Sequence, residues 1–220
     1  MEILCVYFTD PDTILQFPRL RGFPLNNEVR QRLAAFFHTN YPEQTFHAWL
    51  DFIPERAERW GKLRIPDGGD SIRCAGVVDP LSPYGKRDLS FVRYTFQKDA
   101  NENFPNLNIR MVEAFGYGRL NFILALALPA DEDFGLDEPR LHILAHITEA
   151  KHGEGDATTK FVSFAKFGRL IILDISSVQR LVGQVRTEGT KASGEWYVID
   201  RSLDMAEAVF QPPEQEYEED

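Results

Sequence analysis

From Trp60 onward the chain is a series of short apolar and aromatic segments cut apart by turn residues, and no long helical stretch alternates with them. The segments are Ser71–Val78, Leu89–Phe96, Gly116–Leu128, Leu141–Thr148, Lys160–Phe164, Leu170–Ile175, Val182–Arg186 and Trp196–Asp200. Branched and aromatic residues crowd them, as a pleated, half-buried surface requires. Between them lie Asp79-Pro80, Pro129–Pro139, Gly153–Asp156 and Gly189–Gly194, all turn material. This pattern predicts a mainly β (α+β) fold, built on a bent, partly closed antiparallel barrel rather than a parallel α/β sheet.

The first sixty residues read differently. Ile3–Phe8 suits a short strand. Pro11, Pro18, Gly22 and Pro24 then break the chain into turns and extended pieces. Asn26 and Asn27 offer an N-cap, and Val29, Leu33, Phe36 and Phe37 recur at helical spacing before Pro42. A poorer helix is expected near 43–52, and a third from Pro54 to Gly61, because proline suits a first helical position. The expected organisation is a small helical annex over 1–60, a β-rich domain over 61–210 and an acidic tail over 211–220.

The 220 residues carry 24 basic and 34 acidic side chains, a formal charge of −10. Half of that charge is Glu214, Glu216, Glu218, Glu219 and Asp220, leaving −5 on the other 210 residues. The tail has little apolar surface to repay ordering and is expected to be disordered. An acidic chain is poorly suited to coating phosphate backbones. One local exception is Arg56, Arg59, Lys62 and Arg64, either a solvated face or a nucleic-acid-binding patch. No run approaches the roughly 20 apolar residues of a membrane helix. Met-Glu followed by six apolar residues does not resemble a secretory signal. A soluble, intracellular chain without a membrane partner is expected. Its oligomeric state is not encoded in any recognisable pattern.

Catalytic motifs are sparse. Cys5 and Cys74 sit in apolar runs and read as small buried hydrophobes. No phosphate-cradling glycine loop or serine nucleophile elbow occurs. His142 and His146 lie four apart and share a face on a strand, yet no third ligand accompanies them, so neither a metal nor another cofactor is assigned. Asp70, Asp174 and Asp200 form the alternative catalytic set, that of a metal-dependent nuclease or transposase remnant, although each adjoins a turn where aspartate is ordinary. Trp60, Tyr94, Tyr117, Trp196 and Tyr197 fall near strand ends. They are either core plugs or a ligand-binding aromatic cage for a cationic group.

The segments WGKLRIPDGGDSIRC (60–74), RDLSFVRYTFQKDAN (87–101), YGRLNFILALALP (117–129), LVGQV (181–185) and EWYVIDRS (195–202) together resemble a domain of uncharacterised basidiomycete proteins. Those proteins are associated with transposon-derived, transposase-like genes, and the resemblance covers about residues 17–210. The order of elements is also distantly similar to a bromo-adjacent homology (BAH) domain. Gly69-Asp70-Ser71-Ile72, Gly118-Arg119-Leu120, Leu141–Thr148, Leu181-Val182-Gly183-Gln184 and Trp196-Tyr197-Val198 stand for its successive strands. The sequence departs from that pattern at Thr148-Glu149-Ala150-Lys151, where the family has an aromatic-Arg-Pro-Glu ending, and at Gln184, where it has lysine. The resemblance implies a non-catalytic protein-interaction or chromatin-associated module, with a protein or histone tail as partner and the nucleus as compartment. It transfers no binding residue.

Overall fold

The computed structural model describes residues 14–65, 71–77, 88–187 and 194–200. The expectations for Ile3–Phe8, Cys5, Asp70 and the 211–220 tail lie outside them. The described chain is mostly antiparallel sheet with two helices. Its strands are β1 (Ile14–Pro24), β2 (Arg56–Arg64), β3 (Ser71–Arg73), β4 (Phe91–Asp99), β5 (Met111–Leu128), β6 (Arg140–Glu154), β7 (Ser163–Phe164), β8 (Phe167–Asp174), β9 (Val178–Leu181), β10 (Gly183–Thr187) and β11 (Glu195–Ile199). The helices are α1 (Asn27–Asn40) and α2 (Phe46–Phe52).

The long strand β5 organises the large sheet. Its first half pairs with β4, from Met111 opposite Asp99 to Arg119 opposite Phe91. Ile123 to Ala125 instead meet Trp60 to Glu58 of β2. Along its other edge runs β6, with Leu128 opposite Arg140 and Gly118 opposite Glu149. β1 and β3 extend the sheet beyond β2, β9 beyond β4, and β8 beyond β6. Among the described residues, no ladder joins these outer strands into a closed circuit. A separate three-stranded sheet has the order β10-β11-β7.

Both faces of β5 and β6 are buried, which is why their sequences read as nearly continuous apolar runs. Ile123, Ala125, Ile143, Ala145 and Ile147 enter one core with Trp60, Leu63, Val92 and Tyr94. The intervening Leu124, Leu126, Leu128 and Leu144 pack against Val29, Leu33, Phe37 and Trp49 of the two helices. Phe91, Tyr117, Val162, Phe164, Val182 and Val198 form a third core beneath the small sheet. α1 starts where the Asn26 side chain accepts from the Val29 amide at 2.9 Å, and α2 where Thr45 accepts from Ala48 at 3.2 Å.

Three expectations are corrected. Arg56–Arg64 is a strand, not a helix, so the annex boundary at residue 60 falls inside β2. Residues 14–24 are one strand, because Pro18 and Pro24 sit on the sheet's outermost member, where proline is tolerated. The Ser71–Val78 strand is cut short at Arg73, and a 3-10 turn over Ala75–Val77 follows.

Candidate functional site

A groove of about 880 Å³ lies between α1, β8, the start of the β4–β5 hairpin and the end of β6. α1 supplies Arg32, Ala35, Phe36 and Thr39, a stripe beside its buried Val29, Leu33 and Phe37. β4 and β5 supply Tyr94, Phe96 and Met111. Gly116 opens space there: a Cβ on it would stand 2.6 Å from the Tyr94 ring. β8 lines the groove with Leu170, Ile171, Ile172, Leu173 and Asp174.

The edge of β8 is the groove's most unusual wall. Among the described residues, this strand has one ladder, to β6, and its second edge carries none. Exposed edges are normally blunted by proline, bulges or brevity. β1 has Pro18, Pro24 and two register shifts, and β9 has four residues. β8 has no proline, and its one register shift lies between Phe167 and Leu170, at the start of the strand. Its register against β6 is continuous from Asp174 to Leu170, over an apolar run with no proline.

The far end of the groove is built on a bulge. Between Gly118/Glu149 and Gly116/Glu154, β6 takes five steps while β5 takes two. The extra residues place Lys151 and His152 at the groove wall, with His152 in the left-handed region at φ 64°.

Most groove charges are already engaged. Arg169 donates to Glu149 at 3.2 Å, and Lys98 to Glu154 at 2.8 Å. Asp174 accepts from the Ser176 amide at 3.0 Å and the Ser176 hydroxyl at 2.7 Å, capping a 3-10 turn. His142 lines the groove and also a smaller adjoining recess of about 390 Å³ beside Tyr41 and Arg140. It packs edge-on against Phe37 at 5.0 Å, and its Nε2 is buried with no hydrogen-bond partner. Burial, then Arg140, lowers its basicity below that of an ordinary histidine. Burial also pushes His146 down to about 4, with Arg32 and Arg59 adding to the effect. Its ring stacks on Phe122 at 4.2 Å. Both imidazoles are therefore neutral at pH 7.

No protein-family model, curated protein or solved structure matches the chain. The resemblances drawn from the sequence motifs therefore stand on those motifs alone, and the site is read from its own geometry.

The five aromatics do not form one cage. Trp60 and Tyr94 belong to the first core, and Tyr117 and Trp196 to the third. Trp60 and Tyr117 are fully buried. Tyr197 is half-buried on β11, opposite Val185. Of the five, Tyr94 alone lines the groove. The carboxylates do not converge either. Asp174 caps its turn, while Asp200 is buried against Arg93 at 2.7 Å and receives the Tyr117 hydroxyl at 3.2 Å. Among the described residues, no group of three or more His, Cys, Asp or Glu is arranged to hold a metal ion. Cys74 is buried, its thiol pushed up to about 12 by desolvation, so it is not a nucleophile.

The basic cluster is divided along β2. Arg59 lies between the Phe23 and Phe122 rings, 5.2 and 5.0 Å from their centroids. Arg56 donates to the Gly22 carbonyl at 2.9 Å. Lys62 pairs in register with Arg73 of β3, and Arg64 is exposed. Among the described residues, no helix is long and apolar enough to cross a membrane. Sequence reasoning missed the α1 stripe and the β8 edge. The visible signal was the alternation failure in Leu170–Leu173, which marks a strand covered on both faces.

Proposed function

We propose that the chain is a non-catalytic protein-interaction module that takes up an extended peptide along the open edge of β8. The observation that carries this reading is the unpaired, proline-free Leu170–Asp174 edge, in continuous register with β6, standing in a groove of about 880 Å³. Strand addition supplies main-chain hydrogen bonds for affinity, and flanking pockets sort alternate side chains. Here one side of an added strand meets Tyr94, Phe96, Ile171 and Leu173, and the other meets α1. The engaged state of Asp174 and Asp200 also favours binding over bond cleavage. We extend the proposal to the sheet's shape, a partly closed barrel of BAH type, and to a chromatin-associated role in which the peptide belongs to a chromatin protein.

The test is a peptide array containing histone tails and segments of other chromatin proteins beside unrelated extended peptides, read against the wild type and Ala35→Trp. Ala35 is exposed on α1, so tryptophan there fills the groove without touching a core. Binding that falls at least tenfold in the variant supports the reading. Binding indifferent to the variant moves the site elsewhere, and no binding to any peptide removes the reading. Capture only of peptides foreign to chromatin proteins removes the chromatin part.

A further inference from the structure

We infer that the peptide taken by this groove carries an acidic side chain flanked by apolar neighbours, and that Arg32 is the residue that reads it. The inference rests on the extended-peptide reading above and specifies its ligand.

The argument is one of unmatched charge. Arg32 lies on the groove stripe of α1 and is half-buried. Among the described residues, no carboxylate stands within ion-pair distance of it; the groove's own carboxylates serve Arg169, Lys98 and the Ser176 turn. His142 and His146 are neutral and add no further positive charge to the groove. Lys151 is exposed, so its ammonium is hydrated and needs no partner. The Arg32 guanidinium is different, because it lines the groove itself and a bound peptide covers it. It loses hydration, and a carboxylate offered in fork geometry offsets that loss.

Strand geometry then sets the order of side chains. Residues of a strand added to β8 point alternately to opposite sides. Ile172 faces the helix side of the sheet, whereas Ile171 and Leu173 pack toward the Tyr94 core. An acid directed at Arg32 therefore has immediate neighbours directed at Tyr94, Phe96, Ile171 and Leu173, an apolar wall. The ligand is thus apolar–acidic–apolar, with the acid on the α1 side.

Three labelled eight-residue peptides test this, identical except for a central Ile-Glu-Ile, Ile-Gln-Ile or Ile-Lys-Ile. Fluorescence anisotropy is read on wild type, Arg32→Gln and Arg32→Lys, each checked for folding by circular dichroism. The expected result is at least tenfold tighter binding of the Glu peptide than of the Gln peptide, with the Lys peptide weakest. Arg32→Gln erases the Glu preference and leaves the Gln peptide unchanged, whereas Arg32→Lys keeps part of it. The preference also narrows as salt rises. Equal binding of the Glu and Gln peptides, or a preference that survives Arg32→Gln, overturns the inference and leaves the groove reading intact. No binding of any peptide to the wild type overturns both.

Discussion

Arg93 of β4 donates to the Asp200 carboxylate at 2.7 Å, with 5% of the arginine side chain exposed and none of the aspartate's. The pair ties the large sheet to the residue that follows β11 of the small sheet. Asp156 approaches the same guanidinium at 3.3 Å, and Arg180 approaches the other Asp200 oxygen at 3.8 Å. The Tyr117 hydroxyl donates to Asp200 and accepts from the Ala157 amide at 2.9 Å. A carboxylate held this way is a structural tie between sheets.

Removing one member leaves its partner charged and dry, which typically costs about 3–5 kcal/mol. Arg93→Met is therefore expected to lower unfolding free energy by about 3 kcal/mol in urea titrations. Combining it with Asp200→Leu should lose less than Arg93→Met alone, since the remaining Arg180 is partly hydrated. Additive losses would refute the tie.

Acid sensitivity should centre on His146. Its folded-state value near 4 lies below the ordinary histidine value of about 6.5, so the unfolded chain binds the proton first. Stability is complete above about 6.5 and is lost on acidification toward 4, at about 1.4 kcal/mol per pH unit. Urea unfolding at pH 7.5 and pH 5 should show this slope in the wild type and a shallower one in His146→Gln. An unchanged slope would assign the sensitivity to other groups.

Two glycines should respond to alanine for different reasons. A Cβ at Gly118 would stand 2.6 Å from both the Thr148 carbonyl oxygen and an Ile147 methyl. Overpacking of this kind costs about 1–3 kcal/mol, and backbone on one side argues for the upper end. At Gly135 nothing lies within 4 Å, but φ is +66°, so alanine costs only conformational strain, about 1–2 kcal/mol. Thermal melts should rank Gly118→Ala as the more damaging.

The α1 cap gives a smaller effect. Asn26→Ala loses the 2.9 Å bond to the Val29 amide and is expected to cost about 1 kcal/mol. Asn26→Ser should recover most of it. Equal loss in both variants would mean that the cap is not what matters there.

The strands β4, β5, β6, β8 and β11 were legible because branched and aromatic runs lie between clear turns. β2 was not. Its buried residues are Ala57, Trp60, Gly61 and Leu63, a spacing that imitates one face of a helix, because the strand lies between β1 on one side and β3 and β5 on the other. Pro54 reinforced the mistake. β9 reads as Val-Gln-Arg-Leu, too short and polar to signal anything until β4 is placed beside it. The pairing of Arg93 with Asp200 spans 107 positions and leaves no local trace. Of the groove, Tyr94 and the His142–His146 spacing were visible in advance. Arg32 was not, since nothing in a helix's own sequence says whether a cation has found its anion.

The three-way pairing of β5 has a consequence for how this chain can vary in length. Every residue from Leu120 to Leu126 except Asn121 and Phe122 is buried, and successive ones serve different cores. Inserting or deleting one residue there would exchange the two sets and slip the strand against β2 and β6 together. The connection over 129–139 is anchored at Leu136 and Phe134 but is otherwise largely exposed and has no paired register to slip. Natural length differences among descendants of this chain should therefore collect in that connection and spare the strand before it.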